Sequence, residues 1–168
     1  MQVSTPISNA LIKELKPYDT LEITGVIYTG RDAALPRVVK LIESNKLDEL
    51  GIDLNGTAIL HTAVSVAGIG PTSSNKLDIE SSIPALSKAG VKIHIGKGRL
   101  TKETVEALKE YNSVFAVTPP VTALLTSTVV EKKIAAFPEE GMEAFHMLRV
   151  VKFPIIIAIA HGKSIFDK

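Results

Sequence analysis

The first third of the chain combines two kinds of apolar pattern, as is typical of an α/β protein. Apolar residues at helical spacing predict a helix over Ile7–Leu15, which Pro17 should end. The β-branched run Thr20–Tyr28 predicts a strand, and the amphipathic segment Arg31–Lys46 predicts a second helix with a proline in its opening turns. Another strand is predicted over Thr57–Val64.

The middle of the chain places a glycine-punctuated loop, Ala67–Ser74, before a third predicted helix. Asp78 is expected to cap this helix at its start, and Gly90 to close it. Apolar runs predict further strands over residues 91–96 and 113–117, and between them a helix over residues 101–111 begins at Thr101.

The last third has a weaker pattern after the break at Thr118-Pro119-Pro120. It predicts strands over residues 129–136, 149–153 and 155–160, and a helix around residues 138–148. No internal repeat or low-complexity linker divides the chain. The pattern therefore predicts one α/β domain over residues 1–168, with a mixed, largely parallel sheet whose strands carry binding loops at their carboxyl ends.

Composition narrows the possible chemistry. The 19 lysine and arginine residues balance 18 acidic residues, so no general nucleic-acid or membrane surface is expected. The N-terminus lacks a leader pattern and no run is long enough to span a membrane, which favours a cytoplasmic protein. Without cysteine the chain cannot form a disulfide or ligate an iron–sulfur cluster in the usual way, and its four separated histidines predict no metal site.

Cationic residues follow three predicted strands or strand-end loops: Arg31 in YTGRD, Lys76 in GPTSSNK and Lys97 in IGKG. If strand ends bring them together, they can hold both ends of a dicarboxylate, with Arg31 binding one end bidentately. Each residue also has an ordinary interpretation. Arg31 can pair with Asp32 or lie on a surface helix, whereas Lys76 and Lys97 can be solvated charges.

The remaining polar candidates also have both a functional and a structural interpretation. The GIGPTSS segment (Gly68–Ser74) predicts either an oxyanion-binding nest or an ordinary capped turn, and the phosphate-loop pattern is absent. His61 and His94 fall inside predicted strands, which favours hydrogen-bonded structural imidazoles over catalytic ones. Tyr28 or Thr29 can supply a hydroxyl contact to a substrate or a helix cap.

Four ordered motifs together resemble one known family. GVIYTGRDAAL, GIGPTSSNKLD, IHIGKG and EAFHMLRVVKFPIIIAI are similar, in order and spacing, to the β subunit or C-terminal domain of class I fumarases and L-tartrate dehydratases. The resemblance runs from about Pro6 to Phe166. It implies a swivelling β/β/α domain and an active site shared with a partner α subunit.

The resemblance also implies a division of roles. The partner's three cysteines would hold a [4Fe–4S] cluster with one open iron, and this chain would supply organic groups. Arg31 would bind a substrate carboxylate, Thr72 would move the C3 proton, and Lys97 would complete the anion site. Lys76 lies where the family commonly has arginine, so charge is kept but the bidentate fork is lost. A nearby cation, Lys97 or Lys76, is needed to stabilise the Thr72 alkoxide.

The resemblance implies reversible hydration of fumarate to malate, in an αβ pair or a dimer of such pairs. L-tartrate and methylated fumarate remain alternatives, as do a non-catalytic stabilising subunit and the small subunit of an aconitase-type dehydratase. Two departures from the family pattern bear on substrate preference or subunit contacts: Leu35, where the family often has histidine, and Pro119-Pro120, where it has a glycine-rich turn.

Overall fold

The computed structural model describes residues 1–65, 67–72 and 76–167, with only the backbone described for residues 70–72 and 76–79. Its helices agree with the sequence pattern in the first two thirds of the chain. The α-helices are α1 (Asn9–Glu14), α2 (Leu35–Glu43), α3 (Lys76–Lys88), α4 (Lys102–Glu110) and α5 (Thr122–Ser127), and 3-10 helices span Leu47–Leu50 and Pro138–Glu143. No helix in these ranges is long and apolar enough to cross a lipid bilayer.

Side-chain caps mark where two of the described α-helices begin. Ser8 caps α1 by accepting from the Leu11 N–H, and Thr101 caps α4 by accepting from the Thr104 N–H. Asp78 lies inside α3, which begins at Lys76, so the prediction that Asp78 caps this helix is wrong. The sequence pattern did not predict α5, a helix of only 6 residues.

The strands of the described residues form one large sheet and one hairpin. The strands are β1 (Gln2–Ser4), β2 (Thr20–Thr29), β3 (Ala58–Leu60), β4 (Thr62–Ser65), β5 (Gly68–Thr72), β6 (Ile93–Gly96), β7 (Val114–Val117), β8 (Val129–Ala136), β9 (Phe145–Ala160) and β10 (Lys163–Ser164). An 8-stranded sheet contains all of them except β4 and β5, which pair with each other.

The large sheet closes on itself through its longest strand. Strands β2, β3, β6 and β7 are parallel neighbours in that order, and β9 runs antiparallel to both β2 and β7. The pairings of β8 and β10 with β9 are also antiparallel. The prediction of a mixed sheet is confirmed, but half of the strand pairings within the described part of this sheet are antiparallel, so the prediction of a largely parallel sheet is not confirmed.

Four other predictions need correction. The strand predicted over Thr57–Val64 is interrupted at His61 and becomes two strands in different sheets. Residues 68–72 of the predicted loop form β5, the second strand of the hairpin. Residues 138–148 form a 3-10 helix followed by the start of β9, rather than an α-helix. The predicted strands over residues 149–153 and 155–160 are one continuous strand.

Apolar side chains fill both faces of the closed sheet. On the inner face Ile27 of β2, Ile95 of β6 and Leu148 of β9 belong to one buried cluster. On the outer face Ile59 of β3 packs with Leu35 and Leu86 from the helices α2 and α3. Adjacent residues of a strand point to opposite faces, which explains why the apolar runs of β3 and β6 are nearly continuous. Helices α2 and α3 therefore cover part of the outer face, whereas Ile12 of α1 and Leu125 of α5 belong to the inner cluster.

Candidate active site

The carboxyl ends of the parallel strands meet at one edge of the sheet. Arg31 lies two residues beyond the end of β2, and Lys97 directly follows the end of β6. Strand β3 lies between β2 and β6. Neighbouring strands are about 4.8 Å apart, so the two strand ends that carry these cations are separated by roughly 10 Å. The structure thus places Arg31 and Lys97 at the same edge, as the sequence predicted.

The Arg31 guanidinium is held by a carboxylate from a distant part of the chain. Its Nε donates to Glu143 Oε1 at 3.1 Å, and the two side chains are 27% and 33% exposed. The sequence suggested Asp32 as a partner for Arg31, whereas the observed partner, Glu143, is 112 residues away. Because Glu143 binds at Nε, the two terminal nitrogens of the guanidinium keep the fork geometry that matches a second carboxylate.

The glycines beside Lys97 have separate structural reasons. A Cβ at Gly96 would lie 3.2 Å from the buried Phe115 ring, and Gly98 has a φ of 87°, in the left-handed region that favours glycine. The Lys97 side chain is exposed at the sheet edge. The IGKG motif therefore presents one exposed ammonium group on a tightly constrained turn.

Thr72 and Lys76 lie on the segment that connects the hairpin to α3. Thr72 is the last residue of β5 and pairs with Thr62 of β4, and Lys76 is the first residue of α3. Their side chains lie outside the described residues, as do residues 73–75. The proposed roles of Thr72 and Lys76 therefore remain predictions from sequence. The oxyanion nest predicted over Gly68–Ser74 is not formed over residues 68–72, because they are extended.

A buried pair of histidines lies next to these strand ends. His61 directly follows β3 and His94 lies within β6, and both are 0% exposed. His61 Nε2 is 3.4 Å from His94 Nδ1, and His94 Nε2 is 2.9 Å from the Ser87 hydroxyl of α3. The prediction of hydrogen-bonded buried imidazoles is confirmed. Both belong to predicted strands, but the sequence could not show that they contact each other.

Burial controls the charge of this pair. Desolvation lowers the pKa of His61 to about 4 and the pKa of His94 well below its usual value, and the proximity of His61 lowers the pKa of His94 further. Both rings are therefore neutral at pH 7. Thr29 Oγ1 and His61 Nδ1 are buried atoms without a hydrogen-bond partner among the described residues.

Three other residues considered from the sequence are partly or fully buried. Tyr28 stacks on Phe145 with ring centroids 5.1 Å apart, and burial together with the charge of Asp53 raises its pKa. Thr29 is 0% exposed at the end of β2. Leu35, where the family often has histidine, is 1% exposed in the cluster between α2 and α3. Because the Leu35 side chain is buried in the apolar core, it does not directly contact a substrate that binds at the protein surface.

The hairpin that ends at Thr72 is fixed by contacts with α5 and β8. The Ile69 N–H donates to Thr126 Oγ1 at 3.3 Å, and Lys132 Nζ donates to the Ser65 carbonyl at 2.7 Å. A Cβ at Gly68 would lie 2.6 Å from Thr126, so the first glycine of GIGPT permits this close approach. A cavity of about 220 Å³ lies between the hairpin, α5 and β8.

Metal ligands are not grouped in the described ranges of the chain. No cluster of three or more histidine, aspartate or glutamate side chains there could hold a metal ion. The full sequence contains no cysteine. The candidate site is therefore built from Arg31 and Lys97, with the backbone of the Thr72 strand near the same sheet edge.

Comparisons with known proteins point to one family. The model of the family described as "Fumarase C-terminus" matches residues 1–168. A Methanocaldococcus jannaschii protein named "Putative L(+)-tartrate dehydratase subunit beta" is 31% identical, covering 94% of this chain and 86% of that protein. The Escherichia coli K12 protein named "L(+)-tartrate dehydratase subunit beta" is 28% identical, covering 97% and 85%.

A third relative differs in length. The Geobacillus stearothermophilus protein named "Putative fumarate hydratase class I" is 30% identical and matches 98% of this chain, which corresponds to 33% of that protein. Each of the three relatives matches nearly all of this chain. This chain belongs to the fumarase C-terminal family.

Proposed function

We propose that this chain is the β subunit of a hydro-lyase that reversibly hydrates fumarate to malate in an active site shared with a partner α subunit. The observation that carries the proposal is the placement of Arg31 and Lys97 at one edge of the sheet, on strand ends roughly 10 Å apart. Two separated cations at one edge suit a substrate with a carboxylate at each end.

Arg31 is the anchor for one carboxylate. Glu143 accepts from its Nε at 3.1 Å, which fixes the plane of the guanidinium and leaves the terminal nitrogens to bind two carboxylate oxygens. Lys97, on its constrained glycine turn, neutralises the second carboxylate. Lys76, the first residue of α3, is the proposed third cation, as the family resemblance implies.

Thr72 is the proposed proton-transfer group. In the dehydration direction its alkoxide takes a proton from C3 of malate while hydroxide departs from C2, and the hydration direction reverses these steps. A threonine hydroxyl is too weak an acid to ionise in water, so a neighbouring ammonium group, Lys97 or Lys76, must stabilise the alkoxide. The family resemblance of GPTSS and IGKG supports these roles.

The partner subunit supplies what this chain lacks. Since the sequence has no cysteine, its own residues do not fit a [4Fe–4S] cluster, and the proposal assigns that cluster to the α subunit. When bound there, the cluster would supply a Lewis acid for the departing or arriving hydroxyl. The names of the relatives, subunit beta, support the need for a partner. The proposed assembly is an αβ pair or a dimer of such pairs in the cytoplasm.

We place the partner contact on the face formed by α5 and β8. Four large apolar side chains there are 47% to 60% exposed: Val121, Leu124, Val130 and Ile134. Exposed apolar side chains grouped on one face mark an interaction surface. The cavity beneath this face is lined by Ile69 of β5, so the face is continuous with the strand that carries Thr72.

Co-purification tests this placement. Val130→Asp and Leu124→Asp should prevent isolation of a stable complex with the α subunit, because each buries an unpaired charge in an apolar contact. Tyr18→Asp is the matched control, since Tyr18 is 70% exposed and lies outside this face, two residues before β2. Equal complex yields for all three variants would contradict the placement.

L-tartrate dehydration is the second candidate activity, favoured by the names of two relatives. An anaerobic assay of this chain alone, the α subunit alone and the complex, with fumarate, L-tartrate and methylated fumarate, tests the proposal. Turnover of fumarate by the complex alone is the expected result. An iron-loaded complex that converts only L-tartrate would replace the fumarate assignment, and inactivity with all three substrates would favour a non-catalytic stabilising subunit.

A further inference from the structure

A buried chain of three side chains connects the core to the candidate site. Ser87 Oγ lies 2.9 Å from His94 Nε2, and His94 Nδ1 lies 3.4 Å from His61 Nε2. All three residues are at most 2% exposed. The chain ends at His61 Nδ1, a buried atom with no hydrogen-bond partner in the described part of the protein.

The hydrogen bonds that link Ser87, His94 and His61 run in one of two directions, because a neutral imidazole has one donor and one acceptor nitrogen. If Ser87 donates to His94, then His94 donates to His61 and the proton of His61 remains on Nδ1. If the direction is reversed, His61 Nδ1 carries an unpaired acceptor. Each direction leaves one buried polar atom unsatisfied, which costs folding free energy. Two apolar side chains would fill this volume without that cost, so stability alone does not account for the pair.

The histidines lie where the two proposed catalytic segments leave the large sheet. His61 is the junction between β3 and the hairpin, and its backbone N–H donates to the Ile95 carbonyl at 2.9 Å. The next residue, Thr62, pairs with Thr72. His94 lies three residues before Lys97 on β6. The contact between His61 and His94 thus ties the base of the Thr72 hairpin to the strand that presents Lys97.

We propose that Ser87, His94 and His61 are positioning residues, which fix the hairpin bearing Thr72 relative to the turn bearing Lys97. The inference rests on the proposed function. The three side chains do not contact substrate. Their hydrogen bonds limit rotation of the two imidazole rings and hold the hairpin and the Lys97 turn in fixed positions at the sheet edge. Small displacements of binding and proton-transfer groups at this edge would reduce turnover.

The kinetic test compares two buried serines in the complex with the α subunit. Ser87→Ala removes the end of the chain and should lower kcat/KM by about fivefold, the effect of one lost hydrogen bond on transition-state geometry. Ser113→Ala is the matched control. Ser113 is also 2% exposed, and its hydroxyl donates to the Val91 carbonyl at 2.7 Å, immediately before β7 at the amino end of the parallel strands. Its kcat/KM should remain within about twofold of wild type.

Rescue by a similar side chain separates positioning from packing. His61→Gln places an amide where Nε2 lies and retains the contact with His94, whereas His61→Leu fills the volume without a polar atom. The glutamine variant should keep a higher kcat than the leucine variant at a similar melting temperature. If the two variants have the same kcat, or if Ser87→Ala and Ser113→Ala lose equal activity, the proposal is wrong.

Hydrogen–deuterium exchange provides a readout that is independent of activity. In the same complex, Ser87→Ala should increase exchange at residues 61–65 and 95–99, and Ser113→Ala should not. Unchanged exchange at both segments would overturn the inference. If the wild-type complex converts no C4 dicarboxylate, the proposed function fails, but exchange still decides whether the three side chains position these segments.

Discussion

Arg31 Nε and Glu143 Oε1 are 3.1 Å apart, although 112 residues separate them in the chain. The contact joins the loop after β2 to the 3-10 helix that precedes β9. A carboxylate beside the proposed substrate-binding guanidinium has two possible effects of opposite sign. It either orients the guanidinium for substrate or competes with the substrate carboxylate.

The orienting role gives a directional prediction. Glu143→Ala should raise KM in the assembled enzyme by about tenfold, because Arg31 then loses its fixed plane. Glu143→Gln, which still accepts a hydrogen bond through its amide oxygen, should have a smaller effect. Steady-state kinetics at equal iron content measures both variants. A lower KM for Glu143→Ala would show that Glu143 competes with substrate.

Lys97→Met should lower kcat/KM by about a hundredfold or more, because it removes a charge that pairs with a substrate carboxylate. Lys13→Met is the control, since Lys13 is an exposed lysine in the last turn of α1. Both variants should retain wild-type melting temperatures. Near-normal kcat/KM for Lys97→Met would remove Lys97 from the site.

Thr72→Val should abolish turnover while the complex remains intact, because valine keeps the shape of threonine without its hydroxyl. Thr72→Ser keeps the hydroxyl and should retain measurable kcat. Size-exclusion chromatography and iron content establish that each complex is intact before kcat is compared. Turnover by the valine variant near that of wild type would exclude Thr72 as the proton-transfer group.

The buried histidines predict a dependence of stability on pH. The pKa of His61 is about 4 when folded, against about 6.5 when unfolded, so the unfolded chain binds an extra proton as pH falls between these values. The free energy of unfolding should therefore decrease by about 3 kcal/mol from pH 6.5 to pH 4 because of His61, and His94 acts in the same direction.

Chemical denaturation across this pH range measures the effect. His61→Gln removes one titrating group and should flatten the decrease. Parallel curves for wild type and His61→Gln would contradict the assignment of this slope to His61.

Helices α1 to α4 and the cationic strand ends could be predicted because their signals are local. Capping by Ser8 and Thr101 and the spacing of apolar residues define α1 and α4. The partners of individual side chains could not be predicted in this way. Glu143 and the pair formed by His61 and His94 depend on contacts between residues far apart in sequence.

The errors in the last third have a common physical cause. Residues 145–148 are all buried, and a strand buried on both faces has no alternation that separates it from a helix. Pro154 lies between the strands predicted over residues 149–153 and 155–160. Along one edge of β9, however, β8 pairs with residues 145–150 and β7 pairs with residues 156–159. Pro154 lies between these two pairings, so its missing N–H interrupts no strand pairing on that edge.

The central claim is that Arg31 and Lys97 of this chain bind the two carboxylates of the substrate. A crystal structure of the complex with a bound C4 dicarboxylate tests it most directly. We expect carboxylate oxygens within about 3.2 Å of the terminal nitrogens of Arg31 and of Lys97 Nζ. A dicarboxylate held entirely by residues of the α subunit would contradict the account and favour a non-catalytic role for this chain.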